Sequence, residues 1–302
     1  AMCPPRQVVV ARTYFISRRC SRRTCFLRPD AVTNQIMLYC LAVLATRYGI
    51  VVHAYYVASN HHHMIVTDTR GEYPEFLRDL HSLTARAMNR HRGRSENLWA
   101  GSVQTSVVHL LDPTAVMQEL VYTLTNAVKD RLVAKVSDWP GVCSYNAMLH
   151  DKTLRIERPK RFFRKNGKLP DVAEIRFERP EAFAELSHDE WAAEVRDEVQ
   201  RIERSHAQDG SAIVGRKEVL ATSPIAQPAS EAPSHQLNPT VASRDPKERA
   251  AQLERNKHFQ QQYRAALAAY RDGDKAVVFP FGTYQLVRDR HVSCDSRPPP
   301  SI

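Results

Sequence analysis

Along the first 130 residues the spacing of apolar positions switches between a two-residue and a helical period, and each switch marks an element. Residues 7–16 carry β-branched and aromatic side chains at strand spacing, and the arginine-rich stretch up to Asp30 reads as a loop. From Thr33 to Tyr48 apolar residues recur at helical spacing (Ile36, Tyr39, Leu41, Leu44), and Gly49 is a fitting stop. Segments 50–57 and 62–68 read as a strand pair joined by Ala58-Ser59-Asn60. A second helix is expected over 74–92, with Pro74 in its first turn, and a further strand over 102–110. Asp112 and Pro113 suit the N-cap and first position of a third helix that runs to about Lys129.

The order β-α-β-β-α-β-α predicts an α+β fold: a ferredoxin-like split βαβ antiparallel sheet with one added helix. Two helices cover one face of such a sheet, and the other face is left for a site. The second half reads differently. Residues 151–180 are basic and irregular, and a polar helix is expected over 181–207. The Ser-, Ala-, Pro- and Gln-rich stretch 209–246 reads as a flexible linker. Residues 247–271 form a mixed-charge helix, and 276–284 a short strand that must dock on something. The expected organisation is therefore a domain over 1–150, a basic segment and polar helix over 151–208, the linker, and a mainly helical end over 247–302.

Composition alters this picture through charge. The 302 residues are 43% hydrophobic and 25% charged, which is ordinary for a globular protein, but the net charge is +10. Arg12, Arg18, Arg19, Arg22, Arg23 and Arg28 crowd the first thirty residues, and Arg86, Arg90, Arg92 and Arg94 close the second helix. Two such clusters favour a nucleic-acid partner over a merely solvated surface. Six cysteines without a CxxC motif, no leader-like segment and no apolar run of about 18 residues point to a cytoplasmic protein without a membrane partner.

The chemistry-bearing feature is Asn60-His61-His62-His63-Met64. On a strand, His61 and His63 project from one face and His62 from the other. Two imidazoles on one face are either half of a divalent-metal site or a polar, exposed strand face. Tyr122 and Asn126 lie four apart on the third helix, so their Cβ atoms are roughly 5–6 Å apart on a shared face.

Together these residues resemble a known family. Asn-His-x-His between apolar strands, then Leu98-Trp99-Ala100-Gly101, then a helix with Tyr122-x-x-x-Asn126, is similar to the single-tyrosine HUH transposases. More narrowly, it resembles the IS200-like REP-associated tyrosine transposases. Their Tyr-Pro-Trp-Ser-Ser-Tyr segment has an altered counterpart in Trp139-Pro140-Gly141-Val142-Cys143-Ser144-Tyr145. The resemblance spans about residues 7–150. It implies a metal-dependent single-stranded DNA endonuclease and strand transferase acting on hairpin-containing DNA through a 5′-phosphotyrosyl intermediate. Tyr122 would be the nucleophile, and His61, His63 and Asn126 would hold Mg²⁺ or Mn²⁺. Arg12, Arg18, Arg19, Arg22, Arg23, Arg86, Arg90 and Lys129 would contact DNA. Glu119 is a candidate base and Gln118 a candidate substitute ligand. Whether such a protein acts as a monomer or a homodimer is open.

Two departures matter. The family places an apolar residue between its histidines, where this chain has His62, a polar group that needs a partner. After Asn126, Ala127 replaces proline and Asp130-Arg131 replace Ala-Gly. The alternative is a domesticated protein that binds structured DNA with weak or lost catalysis, and a third reading is a phosphodiesterase that uses water.

Overall fold

In the computed structural model, which describes residues 5–101, 105–164, 166–227 and 239–296, strands and helices alternate as the periodicity requires. The first half comprises β1 (Arg12–Arg19), α1 (Ala31–Tyr48), β2 (Ile50–Val57), β3 (His61–Asp68), α2 (Tyr73–His91), β4 (Ser106–Leu110) and α3 (Pro113–Lys129). These strands lie in the order β2-β3-β1-β4 with antiparallel pairing throughout, the ferredoxin-like arrangement. The second half adds α4 (Tyr145–Leu149), β5 (Leu154–Glu157), β6 (Val172–Ile175), α5 (His188–Gln208), α6 (Arg216–Ala221), β7 (Val241–Ala242), α7 (Pro246–Arg271) and α8 (Gln285–Arg290).

Polar side chains set the element ends. The Asp30 carboxylate accepts the Thr33 N–H at 2.7 Å at the start of α1, and Gly49 ends that helix at φ 61°. A Cβ at Gly49 would lie 2.5 Å from Arg70 Nε, so the turn needs glycine on both counts. Asp112 accepts the Ala115 N–H at 2.7 Å with Pro113 in the first turn of α3, as the sequence predicts. Asp68, fully buried at the end of β3, accepts the N–H groups of Arg70, Gly71, Glu72 and Tyr73 and so leads the chain into α2.

The sheet is covered on both faces. His62 meets His81 of α2 on one side, and the period of two puts Met64 and Val66 on the same side. His61, His63 and Ile65 face the other way, level with Arg19, Ser17 and Phe15 of β1, and α3 packs over this face. Helix α5 then packs on α3, with Trp191, Val195 and Val199 fully buried in the main core.

Four sequence expectations differ from the structure. β1 starts at Arg12 rather than residue 7 and runs on through Arg18 and Arg19, because its ladder with β3 extends to the Arg19–His61 pair. The basic stretch 151–180 contains the β5–β6 hairpin, whose Ile156, Ala173 and Ile175 turn inward at alternate positions. The expected linker contains α6 and β7, and β7 pairs parallel with β4 as a fifth strand, so the complete sheet is mixed. Residues 228–238 of that stretch, like 102–104 of the expected fourth strand, lie outside the described residues. Finally, 276–284 forms only a single bridge, Phe279 to Cys294, within a small second core built with α7. Among the described residues no helix is long and apolar enough to cross a membrane.

Candidate active site

The pleat of β3 brings His61 and His63 together, with ring centroids 4.7 Å apart and the rings edge to face. His63 is flanked by two near-parallel rings, Phe15 of β1 at 5.2 Å and Tyr56 of β2 at 6.5 Å. From α3, Tyr122 sets its ring edge-on to both His63, at 5.4 Å, and Phe15, at 5.9 Å. Asn126 stands one turn further on, buried, with its amide facing both the His61 ring and the Tyr122 phenol. The two histidines, Tyr122 and Asn126 therefore converge between β3 and α3.

Several polar atoms in this cluster have no protein partner. Both ring nitrogens of His63 and the Oδ1 of Asn126 are buried without a hydrogen bond. Each such atom costs about 1–3 kcal/mol when left unsatisfied. Among the described residues no group of three or more His, Cys, Asp or Glu side chains is placed to hold a metal ion. The available donor set is two imidazoles and one amide oxygen, which suits an open divalent site, and a cation there would take up one ring nitrogen of His63 and the Asn126 oxygen. The residues present fit the group that the family resemblance implies.

Burial decides the charge states. It pushes the His61 pKa down to about 4, with Arg19 acting in the same direction, and it pushes His63 well below its ordinary value. Both imidazoles are thus neutral at pH 7, the form that ligates. Burial raises the Tyr122 phenol, as do the carboxylates of Asp130 and Glu119, whereas Arg19 and Asn126 pull it down. Burial also raises the Glu119 carboxyl, which makes it a stronger base than an exposed glutamate. The Lys129 Nζ lies 4.8 Å from the centre of the Tyr122 ring.

Tyr122, Glu119 and Lys129 open onto a cleft of about 940 Å³ that runs from Phe15 across α3 to α5. Its far wall carries Glu194, Asp197 and Glu198 of α5. Sequence reasoning had no signal for this wall, because a polar helix gives no hint of what it packs against.

The basic residues divide. Arg19 lies on the site face opposite His61, and Arg23 is close enough to depress the His61 pKa. Arg22 is exposed in the turn after β1. Arg18 points to the opposite face, where its guanidinium donates to Thr105 Oγ1 and the Ala100 carbonyl. Arg12 donates to Gln7 Oε1 on that same opposite face. Arg86 and Arg90 lie on α2, across the sheet from Tyr122, and Arg90 donates to the Arg161 carbonyl. The structure therefore gathers Arg19 and Lys129 near the tyrosine and Arg23 near His61, and leaves Arg12, Arg18, Arg86 and Arg90 elsewhere. Gln118 is not drawn to the histidines: in the amide orientation that satisfies both groups, its oxygen accepts from Arg244 at 2.5 and 2.8 Å.

His62 finds the partner its burial demands. Its Nε2 is 3.1 Å from the Nε2 of His81, and Trp99 lies edge-on to both rings while donating from Nε1 to the His81 carbonyl. Trp99, Tyr55 and Tyr56 are all buried, so none is a platform for bases. His81 and Phe15 are the residues sequence reasoning missed. Phe15 was findable, since alternation along β1 puts it on the face of Ser17 and Arg19.

No family model and no curated protein matches this chain. Among solved structures it is similar to a REP-associated tyrosine transposase bound to a REP hairpin. That match has 17% identity and a TM-score of 0.42, and covers 57% of this chain and 94% of the other. It is also similar to a candidate transposase from Deinococcus radiodurans R1, with 20% identity, a TM-score of 0.30 and coverage of 39% and 93%.

Proposed function

We propose that this chain is a transposase-type enzyme that nicks and rejoins single-stranded, hairpin-containing DNA, with Tyr122 as its nucleophile. One observation carries the reading. Tyr122 and Asn126 of α3 meet His61 and His63 of β3, and both ring nitrogens of His63 and the Asn126 Oδ1 lack protein partners. His61, His63 and Asn126 would hold Mg²⁺ or Mn²⁺, and the ion, when bound, supplies Lewis-acid polarisation of a phosphate oxygen.

The chain's own residues do the rest. Arg19 and Lys129 draw the DNA phosphate toward the tyrosine and stabilise negative charge on the phenol oxygen. Glu119, one turn before Tyr122 and with a raised pKa, accepts the phenol proton. The Tyr122 oxygen bonds to phosphorus, the bond from phosphorus to the 3′ oxygen breaks, and that oxygen leaves with a proton as a free 3′-OH. Attack by another 3′-OH reverses the step and releases Tyr122. The number of phosphoester bonds is unchanged, so joining needs no nucleoside triphosphate.

The departures do not damage this arrangement. His62 is paired with His81, and Arg131 is tied to Asp209 and to the His206 carbonyl at the end of α5. The test is a covalent adduct between the full chain and single-stranded hairpin DNA with Mn²⁺ or Mg²⁺, separated on a denaturing gel. A shifted band is expected for the native protein and none for Tyr122→Phe. Equal bands, or no band from the native protein, refute the reading. Hairpin binding without an adduct would mark a DNA-binding protein that has lost catalysis. Cleavage that survives Tyr122→Phe would mark hydrolysis by water.

A further inference from the structure

We infer that Asn60 is a positioning residue that fixes the tautomer and orientation of His61, so that Nε2 is the ligating nitrogen. The inference rests on His61 being a metal ligand, as proposed above.

The Asn60 side chain bridges two groups. Its Nδ2 donates to the Arg23 carbonyl at 3.0 Å, and its Oδ1 lies 2.7 Å from His61 Nδ1. A carbonyl can only accept, so the amide nitrogen must face Arg23 and the amide oxygen must face His61. The opposite orientation would set two oxygens against each other at 3.0 Å. An amide oxygen can only accept, so His61 Nδ1 must carry the proton. An imidazole that ligates a metal is neutral and has one N–H. Nε2 therefore carries the lone pair, on a ring that the Asn126 amide also faces, and the ring cannot flip without losing the short contact to Asn60.

The frame around Asn60 is itself held. The Asn60 carbonyl accepts from the Cys20 N–H at 2.7 Å, and the Ser59 carbonyl accepts from the Leu27 N–H at 2.8 Å. The turn between β2 and β3 is thus stapled to the arginine-rich segment after β1. His63 has no such contact, since both its ring nitrogens lack partners and neighbouring aromatic rings set its plane. One histidine is held by a hydrogen-bond relay and the other by packing.

The test reads the ring directly. Histidine-labelled full-length protein without added metal is examined by nitrogen–proton correlation spectroscopy, with His61 assigned by its loss in His61→Gln. The native protein is expected to show the Nδ1–H tautomer. Asn60→Leu, close in shape but without polar atoms, should shift His61 toward a mixture of tautomers. It should also weaken Mn²⁺ binding, followed by electron paramagnetic resonance, by about 10- to 100-fold. Asn60→Asp keeps the acceptor toward Nδ1 and should hold the native tautomer, although its second oxygen then opposes the Arg23 carbonyl. An Nε2–H tautomer in the native protein overturns the inference, as does an unchanged tautomer in Asn60→Leu. If the tautomer responds as expected but the native protein binds no Mn²⁺, the metal reading fails and the contact that sets the ring stands.

Discussion

Replacing Asp68 by asparagine should destabilise the fold far more than its near-isosteric shape suggests. Asp68 is fully buried, and its Oδ1 accepts three N–H groups, from Arg70 at 3.2 Å, Gly71 at 2.8 Å and Glu72 at 3.0 Å. Its Oδ2 accepts the fourth, from Tyr73 at 2.9 Å. Asparagine can keep the first three, but its NH₂ then opposes the buried Tyr73 N–H, donor against donor. Losing one hydrogen bond to a charged acceptor costs about 1.5–3 kcal/mol. The remaining three fall from charge-assisted to neutral strength, roughly half. These losses sum to about 4–7 kcal/mol, and the neutral amide costs less to bury than the carboxylate, so a loss of about 3–4 kcal/mol is expected for Asp68→Asn, a large part of a typical stability of about 5–15 kcal/mol. Asp112→Asn is the comparison: Asp112 accepts the Ala115 and Arg244 N–H groups from a half-exposed position where water replaces a lost partner, and should lose only about 1 kcal/mol. Urea unfolding at pH 7, read as midpoint and slope, measures both. Asp68→Asn within about 0.5 kcal/mol of the native protein would refute the argument that the buried carboxylate organises the junction of β3 and α2.

Acid should unfold the protein through its buried neutral histidines. Burial lowers His53 to about 4, and His81 and His109 to about 3, so below pH 6.5 the unfolded chain takes up protons that the folded one refuses. Stability should be flat above about pH 6.5 and fall by up to about 4 kcal/mol per pH unit between about pH 6 and 4; equal urea midpoints at pH 7 and 5 would sink this. Arg19→Gln removes a positive charge that lowers the Tyr122 phenol pKa, so the acid limb of adduct formation should move to higher pH. An unmoved limb would exclude Arg19 from the nucleophile's surroundings. His62→Leu should keep adduct formation within about 3-fold, because His62 faces α2, and change stability by no more than about 2 kcal/mol, since the unpaired His62 Nδ1 disappears while His81 loses its partner. Abolished adduct formation in a folded His62→Leu protein would place His62 in the site after all.

The elements legible in the sequence were those whose signal is local. Gly49, Asp112 and Pro113 mark helix ends through their own backbone chemistry, and the structure uses them at those positions. A strand period of two and a helix spacing of four pair His61 with His63 and Tyr122 with Asn126, and the family resemblance alone implied that the two pairs meet. What was not legible depends on partners distant in sequence. Arg18 and Arg19 look like loop residues until β3 pairs with them, and that ladder sends Arg18 to one face and Arg19 to the other. Counting arginines could not separate them. Val241 and Ala242 sit in a Pro- and Ser-rich stretch that reads as linker, yet the open edge of β4 takes them as a strand.

The residues beyond 150 also change what counts as the site. The resemblance ends near residue 150, yet the cleft in front of Tyr122 is closed by α5, with Glu194, Asp197 and Glu198 facing Glu119 and Lys129 across it. That wall is anchored rather than draped. Trp191, Val195 and Val199 are buried in the main core, Arg131 at the end of α3 pairs with Asp209, and the Val136 N–H donates to Glu203. β7 meanwhile pairs with the β4 edge, which would otherwise be an unpaired strand. A fragment ending near residue 150 would keep the histidines, the tyrosine and the asparagine in sequence. It would expose the apolar side of α3 that α5 covers and leave the cleft open on one side. The proposed catalytic unit is therefore larger than the segment that carries its motifs.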